Sequence, residues 1–112
     1  MKIYGIKTCD SVRKAVKFMK ERNIAYELVD FREIPVDRKR IDVWLKQVPI
    51  EKLFNTRGTT YRTLKLKELN LDEEEKAAWL ARENMLIKRP VIEYGDRVIV
   101  GYDRKVYEKI FA

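Results

Sequence analysis

A mixed four-stranded α/β sheet with an all-helical block inserted between its two halves is the fold the sequence predicts. Three observations predict it. Residues 2–31 read as strand, helix, strand; residues 36–86 hold only helical patterns; and two alternating runs around Gly95-Asp96 form a hairpin that precedes a last amphipathic stretch. With 112 residues, 46% of them hydrophobic, the chain has the size of one domain, for which ~100–150 residues is typical.

Lys2-Ile3-Tyr4-Gly5-Ile6 alternates as a short strand does, and from Val12 the apolar residues Val12, Ala15, Val16 and Met19 recur at helical spacing. Asn23 marks the end of that helix. Tyr26 to Phe31 forms the next strand, and a strand–helix–strand crossover favours a parallel, right-handed pair. Asp37 is placed to cap a helix carrying Ile41, Trp44, Leu45 and Val48, and Pro49 stops it. A turn through Leu53 and Phe54 leads to the polar stretch Asn55–Thr60, after which Tyr61, Leu64 and Leu69 suggest a short helical piece. Asp72 with Glu75 is a capping box that opens a helix through Trp79 and Leu80. Val91–Tyr94 and Arg97–Val100 make the hairpin around Gly95-Asp96. Asp103 then caps a closing helix whose apolar face is expected to be Val106, Tyr107, Ile110 and Phe111. A thioredoxin-like fold has this order, with the helical block (approximately 36–86) inserted in a single domain; other α+β arrangements fit the raw pattern equally well.

The apolar runs fall far short of the ~20 residues that a membrane helix needs, and Met1-Lys2-Ile3-Tyr4 enters a strand pattern instead of a signal peptide, so a cytoplasmic protein without a membrane partner is expected. One cysteine and no histidine exclude an internal disulfide, a Cys/His zinc set, a Ser-His-Asp triad and a Cys-His pair. No metal is expected. The net charge of +7 is uneven: residues 1–70 carry 17 basic and 9 acidic side chains, residues 71–112 carry 8 and 9. That basic half suits an anionic small molecule, an acidic protein surface or nucleic acid, or is simply a solvated face. Direct nucleic-acid binding is the least supported, since no recognition helix, stacking set or zinc module accompanies the charge.

Cys9, in Lys7-Thr8-Cys9-Asp10-Ser11, stands between the first strand and the first helix. Free backbone N–H groups and the positive end of the helix dipole favour an anion there, so the position suits a thiolate. Lys7, Arg13 and Lys14 add positive charge, and Asp10 opposes it. A lone cysteine is commonly a small buried hydrophobe. Polar Thr8, Asp10 and Ser11 argue against that here, and a strand-to-helix junction is where an α/β sheet places ligands. Val12 occupies the place of the second thiol of a Cys-x-x-Cys pair, so a mixed disulfide on Cys9 needs an outside thiol, glutathione or a redoxin, to discharge it. Arg57, beside Gly58, and Arg89, beside Pro90, are the best anion-binding candidates, because both lie outside the clear amphipathic helices and a guanidinium forks onto two oxygens.

Tyr4-Gly5-Ile6-Lys7-Thr8-Cys9-Asp10-Ser11-Val12-Arg13-Lys14-Ala15, Asn55-Thr56-Arg57-Gly58-Thr59-Thr60-Tyr61-Arg62, Lys88-Arg89-Pro90-Val91-Ile92 and Val100-Gly101-Tyr102 together resemble the arsenate reductase/Spx-like family, with most likeness to its YffB-like members. The resemblance runs nearly end to end. It implies a thioredoxin-like fold with a helical insertion, the cysteine at the head of the first helix, and a cis proline, Pro90, facing Cys9. In the glutaredoxin-dependent arsenate reductases, three arginines surround the oxyanion. Arg89 matches the one before the proline, Arg57 matches an earlier one with a shift of a couple of residues, and at the third, near Gly101-Tyr102, no arginine stands.

The YffB-like likeness implies a glutathione-dependent thiol reductase with Cys9 as nucleophile and Lys7, Thr8, Asp10, Ser11, Arg57, Arg89 and Pro90 around the substrate. Glutathione would be a co-substrate, with no bound cofactor. Two alternatives come with the family: arsenate reduction, and a Spx-like transcriptional regulator that binds the C-terminal domain of the RNA polymerase α subunit. Val12 removes the Cys-x-x-Cys switch often found in such regulators.

Overall fold

The computed structural model describes residues 1–111. Its elements follow the predicted order: β1 (Lys2–Gly5), α1 (Asp10–Glu21), β2 (Glu27–Asp30), α2 (Arg38–Leu45), α3 (Ile50–Leu53), α4 (Thr59–Thr63), a 3-10 turn (Leu66–Leu69), α5 (Glu73–Arg82), a second 3-10 turn (Asn84–Leu86), β3 (Val91–Tyr94), β4 (Arg97–Val100) and α6 (Arg104–Ile110). Among the described residues, no helix is long and apolar enough to cross a membrane. The backbone gathers into two compact units, Met1–Asp30 with the chain from Arg89, and Phe31–Lys88. The first holds the sheet with α1 and α6; the helical block lies in the second.

The sheet order is β2-β1-β3-β4, with β1 and β2 parallel and the other neighbours antiparallel, which is the thioredoxin-like arrangement. Lys2 pairs with Glu27 and Gly5 with Asp30 along β2, while Tyr4 pairs with Val91 along β3. One face of this sheet packs on α1 and α6 through Ile3, Ala15, Phe18, Met19, Ile92, Tyr107 and Phe111. Tyr107 is at the centre, edge-on to Phe18 at 5.4 Å, Tyr102 at 5.1 Å and Phe111 at 5.6 Å between ring centroids. Its hydroxyl donates to the Gly101 carbonyl at 2.7 Å, and burial pushes the phenol above its ordinary range.

A raised phenol pKa contributes stability that is complete below the unfolded value of ~10 and is lost as pH rises beyond it. Tyr107→Phe is therefore expected to cost about 1 kcal/mol at pH 8, the lost hydrogen bond. Above pH ~10, where the wild-type protein also has to resist ionisation of the unfolded phenol, the gap between the two proteins should narrow. Urea melts at pH 8 and pH 11 check both.

In the second unit, α2 and α5 carry the expected caps: the Asp37 side chain accepts from the Arg40 N–H, and Asp72 and Glu75 form the capping box. A guanidinium fork joins the two helices, Arg38 donating through both Nη atoms to Glu74 at 2.9 and 2.8 Å and through Nε to Asp42 at 2.8 Å. The arginine holds the Glu74 carboxyl below the usual carboxylate range. Asn84 fastens the entry to this unit, its side-chain amide exchanging hydrogen bonds with both backbone groups of Val36 at 2.9 and 3.1 Å.

Two expectations about apolar positions need correction. Leu64 and Leu69 are exposed, at 40% and 54%, and Leu66 takes the buried place instead. Lys65 adopts a left-handed conformation (φ 54), which breaks the periodicity counted from Tyr61 and restarts the chain as a 3-10 turn. Val106 is likewise exposed, because a seven-residue helix that turns Tyr107 inward leaves its neighbour, ~100° around the axis, toward solvent.

Candidate active site

Cys9 is the N-cap of α1. Its backbone is extended (φ −76, ψ 128), its N–H donates to the Ile6 carbonyl at 3.1 Å, and its own carbonyl receives the Arg13 N–H at 3.0 Å. The side chain makes no capping hydrogen bond, so Sγ is not spent on satisfying the first turn. The thiol is half-buried. α1 has twelve residues, enough for its first-turn N–H groups and dipole to present a positive terminus beside that sulfur. Asp10 opens the helix, exposed, with its carboxylate 3.9 Å from Arg13. Lys7 and Thr8 are exposed and Ser11 is half-buried.

The peptide of Lys7, two residues before the cysteine, is held from both sides. Its N–H donates to Oδ2 of Asp30 at 3.0 Å, and its carbonyl receives Nε–H of Arg13 at 3.3 Å. Asp30 is 2% exposed at the end of β2, a burial that carboxylates tolerate only with hydrogen-bond partners. The clamp fixes the loop that delivers Cys9 to the helix. Asp30→Ala is expected to cost about 1 kcal/mol, since the part-buried Lys7 N–H then loses its acceptor, while Asp30→Asn keeps an acceptor oxygen and should cost less. Denaturant melts of the two variants give the comparison.

Gly5 sets the height of α1 over the sheet. A Cβ at this position would lie 2.5 Å from Cγ2 of Val12, inside any tolerated contact, so only glycine lets the first turn of α1 come this close to β1. In the sequence alone Gly5 and Asp30 are strand positions with no chemistry of their own. Only the register that pairs them makes them supports of the cysteine loop.

Pro90 is buried and follows a cis peptide bond, as the resemblance implied. One step beyond the Tyr4–Val91 pair, the antiparallel register brings it opposite Gly5. Arg89-Pro90 thus enters the sheet at the end where β1 leaves it toward Cys9. The Pro90 carbonyl accepts from the Gly101 N–H at 2.8 Å. Arg89 is half-buried, with its Nε shut off from solvent. Arg57 belongs to the second unit, exposed in the turn before α4, where its N–H donates to Oδ1 of Asn55 at 3.1 Å. Gly58 is the N-cap of α4, and a Cβ there would lie 2.9 Å from Nδ2 of Asn55. That turn is anchored within its unit by Asn55 N–H to Leu86 carbonyl and Lys88 N–H to Leu53 carbonyl, both 2.8 Å. Of the sequence-derived set, Lys7 to Ser11, Arg89 and Pro90 fall in the first unit and Arg57 in the second.

A family model described as the ArsC family matches residues 4–110. The solved structure of a YFFB protein superposes with a TM-score of 0.92 at 32% identity, covering 99% of this chain and 98% of its own. A Neisseria meningitidis arsenate reductase is 26% identical over 90% of this chain and 89% of its own length. The regulatory protein MgsR of Bacillus subtilis is also 26% identical, over 89% of this chain and 81% of its own.

Proposed function

The chain belongs to the ArsC family, and from that membership we propose that it is a thiol reductase that works through Cys9 alone, with glutathione as the thiol that regenerates it. The observation that carries this reading is the N-cap position of Cys9 with its sulfur uncommitted to capping. The thiolate attacks one sulfur of an oxidised substrate. The S–S bond breaks, a mixed disulfide forms on Cys9, and the departing thiolate takes up a proton. A glutathione thiolate then attacks the substrate sulfur of that mixed disulfide, leaving glutathione joined to it and returning Cys9 as thiolate. Val12, packed on Gly5 where a second cysteine would stand, makes the outside thiol a requirement of this scheme.

Arg89 is assigned to the anionic group of the substrate, and Lys7, Thr8, Asp10, Ser11 and Pro90, all of the same unit as Cys9, to its binding around the sulfur. Intact-mass measurement tests the scheme: oxidised glutathione should add one glutathione to Cys9, and reduced glutathione should remove it. A protein that never forms the adduct would overturn the assignment.

Arsenate as electrophile is the weaker branch, because the Gly101-Tyr102 position supplies no third arginine. The likeness to a regulatory protein favours a second reading, docking on the RNA polymerase α subunit. That reading requires association that Cys9→Ser leaves intact, whereas the reductase reading requires Cys9.

A further inference from the structure

An open groove of about 420 Å³ runs along the first unit between α1 and β2. Its floor is aliphatic: Val12, Val16 and Leu28, the first buried and the others half-buried, with Val16 and Leu28 resting on the core beneath. Its rim is cationic. Arg13, Lys17 and Lys20 follow one another at i, i+4 and i+7, which places them along one side of the helix, and Lys7 adds a fourth positive charge from the loop before it. Glu21, 3.9 Å from Lys17, is the single carboxylate among the lining residues.

Long basic side chains commonly lay their stems on apolar surface and send their charge to water. Here four of them surround a concave floor instead of covering a convex one, and the volume falls in the ~300–1,000 Å³ range of small-molecule sites. The aliphatic floor faces the open groove, and the lining carries four cations to one anion, with Arg13 and Lys17 each 3.9 Å from an exposed carboxylate.

We propose that this groove binds a small amphipathic anion, a molecule with an aliphatic body for the Val12-Val16-Leu28 floor and a carboxylate or comparable headgroup for the lysines and Arg13. Charge complementarity selects the headgroup, and the floor selects the body. Cys9 does not line the groove; Lys7 is the one lining residue also assigned to the substrate, and the test below leaves it unchanged.

Octanoate is the probe, titrated calorimetrically into the full chain bearing Cys9→Ser to prevent oxidation. Saturable one-site binding is expected, with acetate at least tenfold weaker because it lacks the apolar body. Lys17→Glu with Lys20→Glu, both at exposed positions, should weaken octanoate at least tenfold, and Val16→Asp should do the same. If Val16→Asp fails to fold by circular dichroism, the charge-reversed variant decides. No octanoate binding, or binding that the charge reversal leaves unchanged, overturns the proposal. So does capture by anionic phospholipid vesicles without octanoate binding, which would make the face a membrane contact instead.

Discussion

Cys9→Ser is expected to abolish thiol-dependent reductase turnover while leaving the thermal midpoint within a degree or two of the wild-type value. The hydroxyl is a far poorer nucleophile than a thiolate and cannot form the mixed disulfide, so the loss should be complete and not partial. Stability should barely change because the sulfur makes no capping bond to lose. Serine is a favoured N-cap and could even strengthen α1 slightly. Turnover of a small disulfide with glutathione, followed alongside a thermal melt, separates the two effects. Full activity in the serine variant would end the single-cysteine scheme.

The second large effect is expected at Gly5. Adding one methyl group in Gly5→Ala places a carbon 2.5 Å from Val12 Cγ2, so α1 must lift from β1 or Val12 must leave its rotamer. A cost of about 3 kcal/mol is expected, at the upper end of overpacking penalties. Activity per folded molecule should fall as well, since the turn that lifts is the one headed by Cys9. The compensating pair Gly5→Ala with Val12→Ala removes the colliding carbon and should recover much of the loss, although Val12→Ala alone costs about 2 kcal/mol by vacating a buried place. A double-mutant cycle on denaturant melts measures the coupling. Additive costs would show that Gly5 does not set the helix height.

Much of this arrangement was written in local sequence. The caps Asp37, Asp72 and Asp103 each act over two or three residues, so their helices could be read directly. Val91–Tyr94 and Arg97–Val100 announced themselves through alternation and through Gly95, which sits at φ 60 where the turn demands it. Cys9 was legible as a site candidate because a strand pattern ended and a helical one began around it.

What escaped the sequence acts over distance. The bond from Lys7 N–H to Asp30 spans 23 residues, and the Gly5–Val12 contact depends on the angle at which a helix settles on its strand. No periodicity encodes either. The left-handed residue Lys65 is hidden for a different reason: it carries none of the glycine or asparagine signal that usually marks such a conformation, so the run from Tyr61 to Leu69 has the look of one continuous pattern.

The hydrogen bonds from Tyr107 to Gly101 and from Gly101 to Pro90 run from the last helix back to the mouth of the sheet. A nick by protease inside α6 would thus be felt as a loosened Pro90 at the other end of a two-link tether. The remedy for such damage would be to brace the tail, since α1 and its Cys9 cap take no part in either bond.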